Sequence, residues 1–348
     1  MTMVTRSIRL ALAAAAAALA LPALAQMAPW EQQLYDAAKK EGQFTVYTAH
    51  YDTETIADIC AAFDRKYPGV KCNFVRTTAQ VAFQRLQQDL KANLAVASVF
   101  SSTDISHYPE LKKNDLLMPY QPHNLANMVD SLKQYNDKDN QYWVTAAALI
   151  AICYNTSLVS EKDAPKRWTD LLDPKWKDKI AIGHPAFSGY VGTWTVEMRK
   201  LYGWQYFEKL EKNKPQIGRS INDTVTALNA GERQVAAGAD GSTLFSANRG
   251  NPLSIIYPED DAILIIAPTG ILKGSKHPNA AKLFMEYLYS VEASEIDVKH
   301  FTVPMRPEVK VAKGEKPVDQ VKHFHPTNEQ IDKGIPEAIE DWRDTFGN

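Results

Sequence analysis

The chain has 348 residues, with 39 Lys and Arg set against 41 Asp and Glu. That balance, with no polybasic run, excludes the electrostatic footprint of a nucleic-acid binder or of a protein docked on an anionic membrane. Beyond residue 25 no stretch approaches the ~18 uninterrupted apolar residues of a membrane span, so no membrane insertion is expected there.

Arg6 and Arg9 give a positive start, residues 10–21 are an unbroken Leu and Ala run, and Pro22-Ala23-Leu24-Ala25 is a small-x-small cleavage site. This is the layout of a secretory signal peptide over residues 1–25, with export to the periplasm; the apolar run is too short to cross a bilayer. No Cys adjoins the cleavage site, so no lipid anchor is expected. The rest of the chain is long enough for two domains.

An amphipathic helix is predicted over 31–40, closed by Gly42, then a strand over 44–47 and a helix with apolar Ile56, Ile59, Ala62 and Phe63. Tyr67-Pro68-Gly69 is a turn, followed by a strand over 70–75, a helix over 80–91 and a strand over 95–100. This β-α-β-α-β alternation builds a parallel sheet with helices on its faces. A second cycle follows, with a strand-rich segment over 143–154, a loop and short helix over 164–172, a strand over 179–182 and helices over 189–202 and 205–213. A helix over 223–230 is expected with Asn222 as N-cap and Gly231 beyond its end. Strands over 235–239, 255–257 and 262–267 and a helix over 278–289 complete the pattern; the stripe Leu283, Phe284, Tyr287, Leu288 reads as core.

Cys60 and Cys72 flank the first helix-to-strand turn, and the spacing fits a disulfide as well as it fits two buried thiols; Cys153 reads as a buried small hydrophobe. His323 and His325 share a strand face but lack further ligands, so no metal is expected.

In such sheets ligands bind at the carboxyl ends of the strands, against helix N-termini with unpaired N–H groups. That rule selects the loops 48–51, 76–78, 101–104, 184–190 and 240–243, rich in small hydroxyl residues and glycine. The candidates are His50, Tyr51, Arg76, Thr77, Thr78, Ser101, Ser102, Ser188, Gly189, Tyr190, Asp240, Gly241 and Ser242. Hydroxyls and backbone N–H groups suit an oxyanion, Arg76 can grip it bidentately, and Asp240 can accept from an amine or hydroxyl. Set against this, Ser and Thr at these places also serve as plain helix caps, Arg76 as a solvated surface residue and His184 as a structural histidine.

At this point the chain resembles the ferric-type branch of the ABC-importer solute-binding proteins, which also holds phosphonate, sugar-phosphate and thiamine binders. The resemblance runs through Phe44-Thr-Val-Tyr-Thr-Ala49, Phe63-Asp-Arg-Lys-Tyr-Pro-Gly-Val70, Asn114-Asp-Leu-Leu-Met-Pro-Tyr120, Ile152-Cys-Tyr-Asn155, the stretch Trp168 to Lys177, Gly231-Glu232 and the stretch His277 to Phe284, in that order. It implies an α/β, two-lobed periplasmic-binding-protein fold of type II with a ligand cleft between the lobes. Lobe 1 is expected from 26–143 with 268–300 and lobe 2 from 144–267 with 301–348. It also implies a monomer that closes by hinge motion at segments 119–122, 143–148 and 265–270 and delivers a small-molecule solute to an inner-membrane ABC permease, without a cofactor.

In the iron-binding members two adjacent tyrosines follow the strand after the Gly-Glu pair; Gly241 and Ser242 stand there in this chain, and neither offers a phenolate. The family's first-loop histidine falls near His50 or Tyr51 and its acidic ligand near Asp89. The expectation is therefore an anionic organic solute, such as a phosphonate, organophosphate or carboxylate, with ferric iron as the alternative and a sensor role as a third reading. No Gly-x-Ser-x-Gly elbow, His-Glu-x-x-His helix, Walker loop or dinucleotide fingerprint is present, so an enzyme is not expected.

Overall fold

The computed structural model describes residues 27–347, and the expected signal peptide lies outside the described residues. The first stretch contains α1 (Pro29–Glu41), β1 (Gln43–Thr48), α2 (Thr53–Lys66), β2 (Lys71–Arg76), α3 (Ala79–Lys91), β3 (Val99–Ser101), α4 (His107–Lys113) and α5 (Asp130–Lys133). The middle holds β4 (Tyr142–Asn155), β5 (Ile180–Ile182), α6 (Gly189–Tyr202), α7 (Gln205–Glu211), β6 (Gln216–Ile217), α8 (Ile221–Asn229), β7 (Val235–Ala239), α9 (Asp240–Asn248) and β8 (Leu253–Ile256). The chain ends with β9 (Ala262–Ile271), α10 (Pro278–Leu288), α11 (Val291–Lys299), β10 (His323–Phe324) and α12 (Asn328–Phe346).

Local chemistry sets the early boundaries. Pro29 starts α1, where a missing N–H costs nothing, and Gly42 closes it in the left-handed region at φ 75°. The Glu41 carboxylate then accepts from the main-chain N–H groups of Asn279 (3.1 Å) and Ala280 (2.8 Å), capping α10 from 238 residues away. Asp52 caps α2 by accepting from Thr55 N at 2.8 Å.

The strands form one sheet in the order β2-β1-β3-β9-β4-β7-β5-β6, with β8 on β4 and β10 on β9. β1, β2 and β3 are parallel, as their alternation with helices requires, and so are β5, β6 and β7. β4 and β9 run antiparallel through the middle and connect the two parallel halves. All 14 residues of β4 are buried, because helices cover both faces of the sheet there. Two of the three segments expected to flex, 143–148 and 265–270, pair with each other, from Trp143↔Thr269 to Ala148↔Ile265, with a bulge between Val144 and Ala146. At that bulge Thr145 Oγ1 and Thr269 Oγ1 are 2.6 Å apart.

Two main groups of buried side chains result. In the first, Phe44, Phe63, Phe284 and Tyr287 meet through ring contacts of 5.1–5.6 Å, so the stripe on α10 is core. The second gathers Trp168, Trp194, Phe207 and Trp342. The helix α12, which the sequence pattern did not predict, supplies Ile331 and Ile335 to the first and Trp342 to the second.

Several expectations shift. The third strand begins at Val99 rather than 95, and α8 begins at Ile221 after a Ser220 cap, not after Asn222. α11 was likewise not foreseen. Cys60 and Cys72 form a disulfide with Cα atoms 5.2 Å apart, and Cys153 is a buried free thiol that burial pushes up to about 12. Among the described residues no helix is long and apolar enough to cross a membrane.

Candidate functional site

The carboxyl ends of β1, β2, β5 and β7 and the loop before α8 face one another and enclose two small adjoining hollows of about 30 and 40 Å³. His50, Tyr190, Asn222 and Ser242 line both and form the wall between them.

The smaller hollow is set among the starts of α3, α6 and α8, represented by Thr78, Ser188 and Ser220, and Arg76 also lines it. The first N–H groups of each of these helices have no carbonyl partner within the helix, and at α8 the Asp223 carboxylate already takes Ser220 N at 3.0 Å. Thr78 and Ser188 stand at the cap positions, yet neither side chain makes a cap hydrogen bond, and Thr78 Oγ1 is buried without a partner. Arg76 Nε donates to Tyr51 O at 2.9 Å, which fixes the guanidinium beside the hollow. Burial lowers the Arg76 pKa, opposed by the nearby Asp52 carboxylate, but a guanidinium stays charged.

The larger hollow is lined by Tyr51, Asp52, Thr55, Phe245 and His300 in addition to the shared residues and Gly241. Between the hollows, Tyr190 Oη lies 3.0 Å from His50 Nδ1. Burial pulls His50 down to about 4, and it pushes the phenols of Tyr51 and Tyr190 up, so all three are neutral near pH 7.

The start of α6 also packs directly against the loop after β3: a Cβ added to Gly189 would stand 2.4 Å from the carbonyl carbon and oxygen of Thr103. Only glycine permits that approach.

Of the candidates, His50, Tyr51, Arg76, Thr78, Ser188, Tyr190, Gly241 and Ser242 line the hollows, and Gly189 is the contact just described. Four stand elsewhere. Ser102 Oγ is taken by His107 Nδ1 at 2.9 Å and by Asp104 N at 3.1 Å. Ser101 is buried but lines neither hollow, and Thr77 contributes its N–H to Thr48 O. Asp240 is also absent from the lining. Its carboxylate accepts from Leu149 N (3.1 Å), Gly241 N (2.7 Å) and Tyr257 Oη (3.3 Å), joining β4 to the start of α9. Burial raises its pKa to about 6. Asp89, at the family's acidic position, accepts from Tyr47 Oη at 2.6 Å and lines neither hollow.

Sequence reading missed Ser220, Asn222 and His300. The Ser220-x-x-Asp223 spacing of a capping box was the available signal for the first two: Ser220 N donates to Asp223 Oδ2 at 3.0 Å. His300 arrives from the end of α11 with no local pattern to mark it.

The sequence pattern of the bacterial extracellular solute-binding proteins matches residues 92–333. A candidate 2-aminoethylphosphonate-binding periplasmic protein of Salmonella typhimurium is 27% identical over 200 residues, covering 53% of this chain and 58% of that one. The major ferric iron-binding protein of Neisseria gonorrhoeae is 26% identical over 314 residues, covering 87% and 88%. Among solved structures, the periplasmic binding protein AfuA from Actinobacillus pleuropneumoniae, with fructose-6-phosphate bound, superposes with a TM-score of 0.79. It is 21% identical and covers 88% of this chain and 99% of that one, a likeness of fold. The chain therefore belongs to the bacterial extracellular solute-binding protein family, the periplasmic binding proteins that serve ABC importers, and it is not an enzyme.

Proposed function

We propose that the cleft captures a small organic solute by its oxyanion, a phosphonate, phosphate ester or carboxylate, and closes over it before delivery to an inner-membrane permease. The observation that carries this reading is the smaller hollow, where three helix N-termini meet beside Arg76. Each N-terminus favours an anion by about 0.3–1 kcal/mol, and by up to ~2 in partly buried geometry, so those of α3 and α6 beside the guanidinium favour an oxyanion, while at α8 the Asp223 carboxylate already takes part of that role. The relatives named for 2-aminoethylphosphonate and solved with fructose-6-phosphate support the same chemistry.

In this reading the mature chain is an exported monomer of two lobes, 26–143 with 268–300 and 144–267 with the end of the chain. The burial of Met305, Val318 and Val321 with the first core favours moving the last crossing beyond 300, toward α12.

A thermal-shift and calorimetric screen of ligand-stripped protein against phosphonates, phosphate esters, sulfate, carboxylates and ferric citrate tests the proposal. Organic oxyanions should raise the melting temperature, with about 2.7 kcal/mol of stabilisation at a hundredfold excess over Kd. A shift with ferric ion alone would sink it. Ser188→Ala and Ser242→Ala should weaken the best ligand, and unchanged affinity in both would place the site elsewhere.

A further inference from the structure

The two hollows differ in polarity. The smaller one has Arg76 and three helix N-termini, whereas the larger has no Lys or Arg in its lining and carries the Asp52 carboxylate and His300. Asp52 Oδ1 already accepts from Thr55 N at 2.8 Å and Thr55 Oγ1 at 2.9 Å, which keeps the carboxylate in place beside the hollow.

His300 is the more telling group. Its Nε2 lies 2.9 Å from Asp58 Oδ2, and the same oxygen takes Lys299 Nζ at 2.7 Å. In the neutral form of the ring, Nε2–H is the donor to that carboxylate oxygen. That hydrogen bond fixes the tautomer and leaves Nδ1 as a lone-pair acceptor. The side chain is only 4% exposed, and Nδ1 is buried without a hydrogen-bond partner. A buried acceptor in the wall of a binding cleft calls for a donor.

We infer that His300 Nδ1 selects solutes that carry a hydrogen-bond donor, an amine or a hydroxyl, at the end opposite their oxyanion. The inference rests on the oxyanion reading of the smaller hollow and narrows it: inorganic phosphate, sulfate and simple alkylphosphonates lack the second group. Asp58 is a positioning residue, acting through the tautomer of His300, and Asp52 adds a field that favours a cationic donor.

Calorimetry on the mature chain with 2-aminoethylphosphonate, 2-hydroxyethylphosphonate and ethylphosphonate tests this, because the three share one oxyanion and differ in the far group. The two donor-bearing probes should bind about tenfold or more tighter than ethylphosphonate, since a site built around a hydrogen bond rejects the analogue lacking it. His300→Phe, which keeps a ring against Phe245, should abolish that preference. His300→Gln, whose amide oxygen still accepts, should keep part of it, and Asp58→Ala should reduce it. Equal binding of all three probes, or a preference that survives His300→Phe, overturns the inference. If no phosphonate binds, the oxyanion reading fails, and ethanolamine and fructose then report on His300 alone: binding that His300→Phe removes upholds its role, and any other result ends it.

Discussion

Tyr190 Oη sits 3.0 Å from His50 Nδ1 with the two rings within 10° of parallel, so the second residue of α6 meets the loop after β1 across the cleft. Burial in this closed arrangement holds His50 at about 4, against its ordinary 6.5. Opening returns the ring to water and its pKa toward 6.5. Between about pH 4 and 6.5 the open form therefore binds a proton that the closed form does not, and acid favours opening. Affinity for the best-binding phosphonate should rise with pH through that window, by at most about tenfold per unit, and level off above it. Titration calorimetry from pH 4.5 to 8 reads the slope, and His50→Gln should flatten it. A wild-type profile with no slope, or one that His50→Gln leaves intact, would remove the His50 contact from the loaded state.

Gly189 offers a cleaner block on closure. A Cβ there meets backbone atoms of Thr103 at 2.4 Å and Asp104 N at 2.5 Å, and backbone cannot swing aside as a side chain can. Gly189→Ala should cost the closed form about 1–3 kcal/mol, which is roughly 5- to 150-fold in solute affinity. Gly189 and Thr103 are themselves members of neither core, so the melting temperature of ligand-free protein should move less than the affinity does. A fall in stability matching the fall in affinity would mean that the contact belongs to the fold rather than to closure.

The distribution of successes and misses has a physical cause. β1, β2 and their helices were legible because apolar residues recur at helix and strand periods, and the loops at Arg76–Thr78 and Ser188–Tyr190 followed from the polarity of a parallel sheet. Asp240 looked like a ligand-binding carboxylate because nothing local reveals that Leu149 N donates to it; that depends on the β4–β7 pairing. His300 stands 250 residues from His50 and reaches the cleft only because α11 packs on α2, a tertiary fact with no sequence period. The disulfide was undecided for the same reason, since two buried thiols and a bridge share one spacing.

Arg249, at the end of α9, makes a two-pronged contact with Glu54 in the first turn of α2, while its guanidinium lies 4.3 Å from the Phe245 ring centroid. Phe245 lines the larger hollow, so the ion pair spans the cleft beside it. Both side chains are more than half exposed, which limits the pair to about 0.2–1 kcal/mol. A double-mutant cycle of Glu54→Ala and Arg249→Ala should show coupling of that size in the solute off-rate. The coupling should fade as salt rises from 0.05 to about 0.5 M and shortens the screening length. Additive effects of the two substitutions would show that the pair does not help hold the clamp shut.

The Cys60–Cys72 bridge joins α2 to β2 across a loop of 12 residues, next to a second tie in which Asp64 Oδ1 accepts from Cys72 N at 2.8 Å. Closing a loop of this length removes conformational freedom from the unfolded chain, worth about 3 kcal/mol. Cys60→Ala with Cys72→Ala should therefore lower stability to denaturant by roughly that amount without changing solute affinity, because neither residue lines the cleft. Reduction of the wild type should give the same loss and leave the double variant unaffected. Cys153 provides the internal control. Its thiol is buried, receives a hydrogen bond from Thr243 Oγ1 at 3.1 Å and has its pKa pushed up to about 12. It should resist alkylation in the folded chain and react only on unfolding, so the rate of Cys153 labelling in the double variant reads how far loss of the bridge raises the unfolded population.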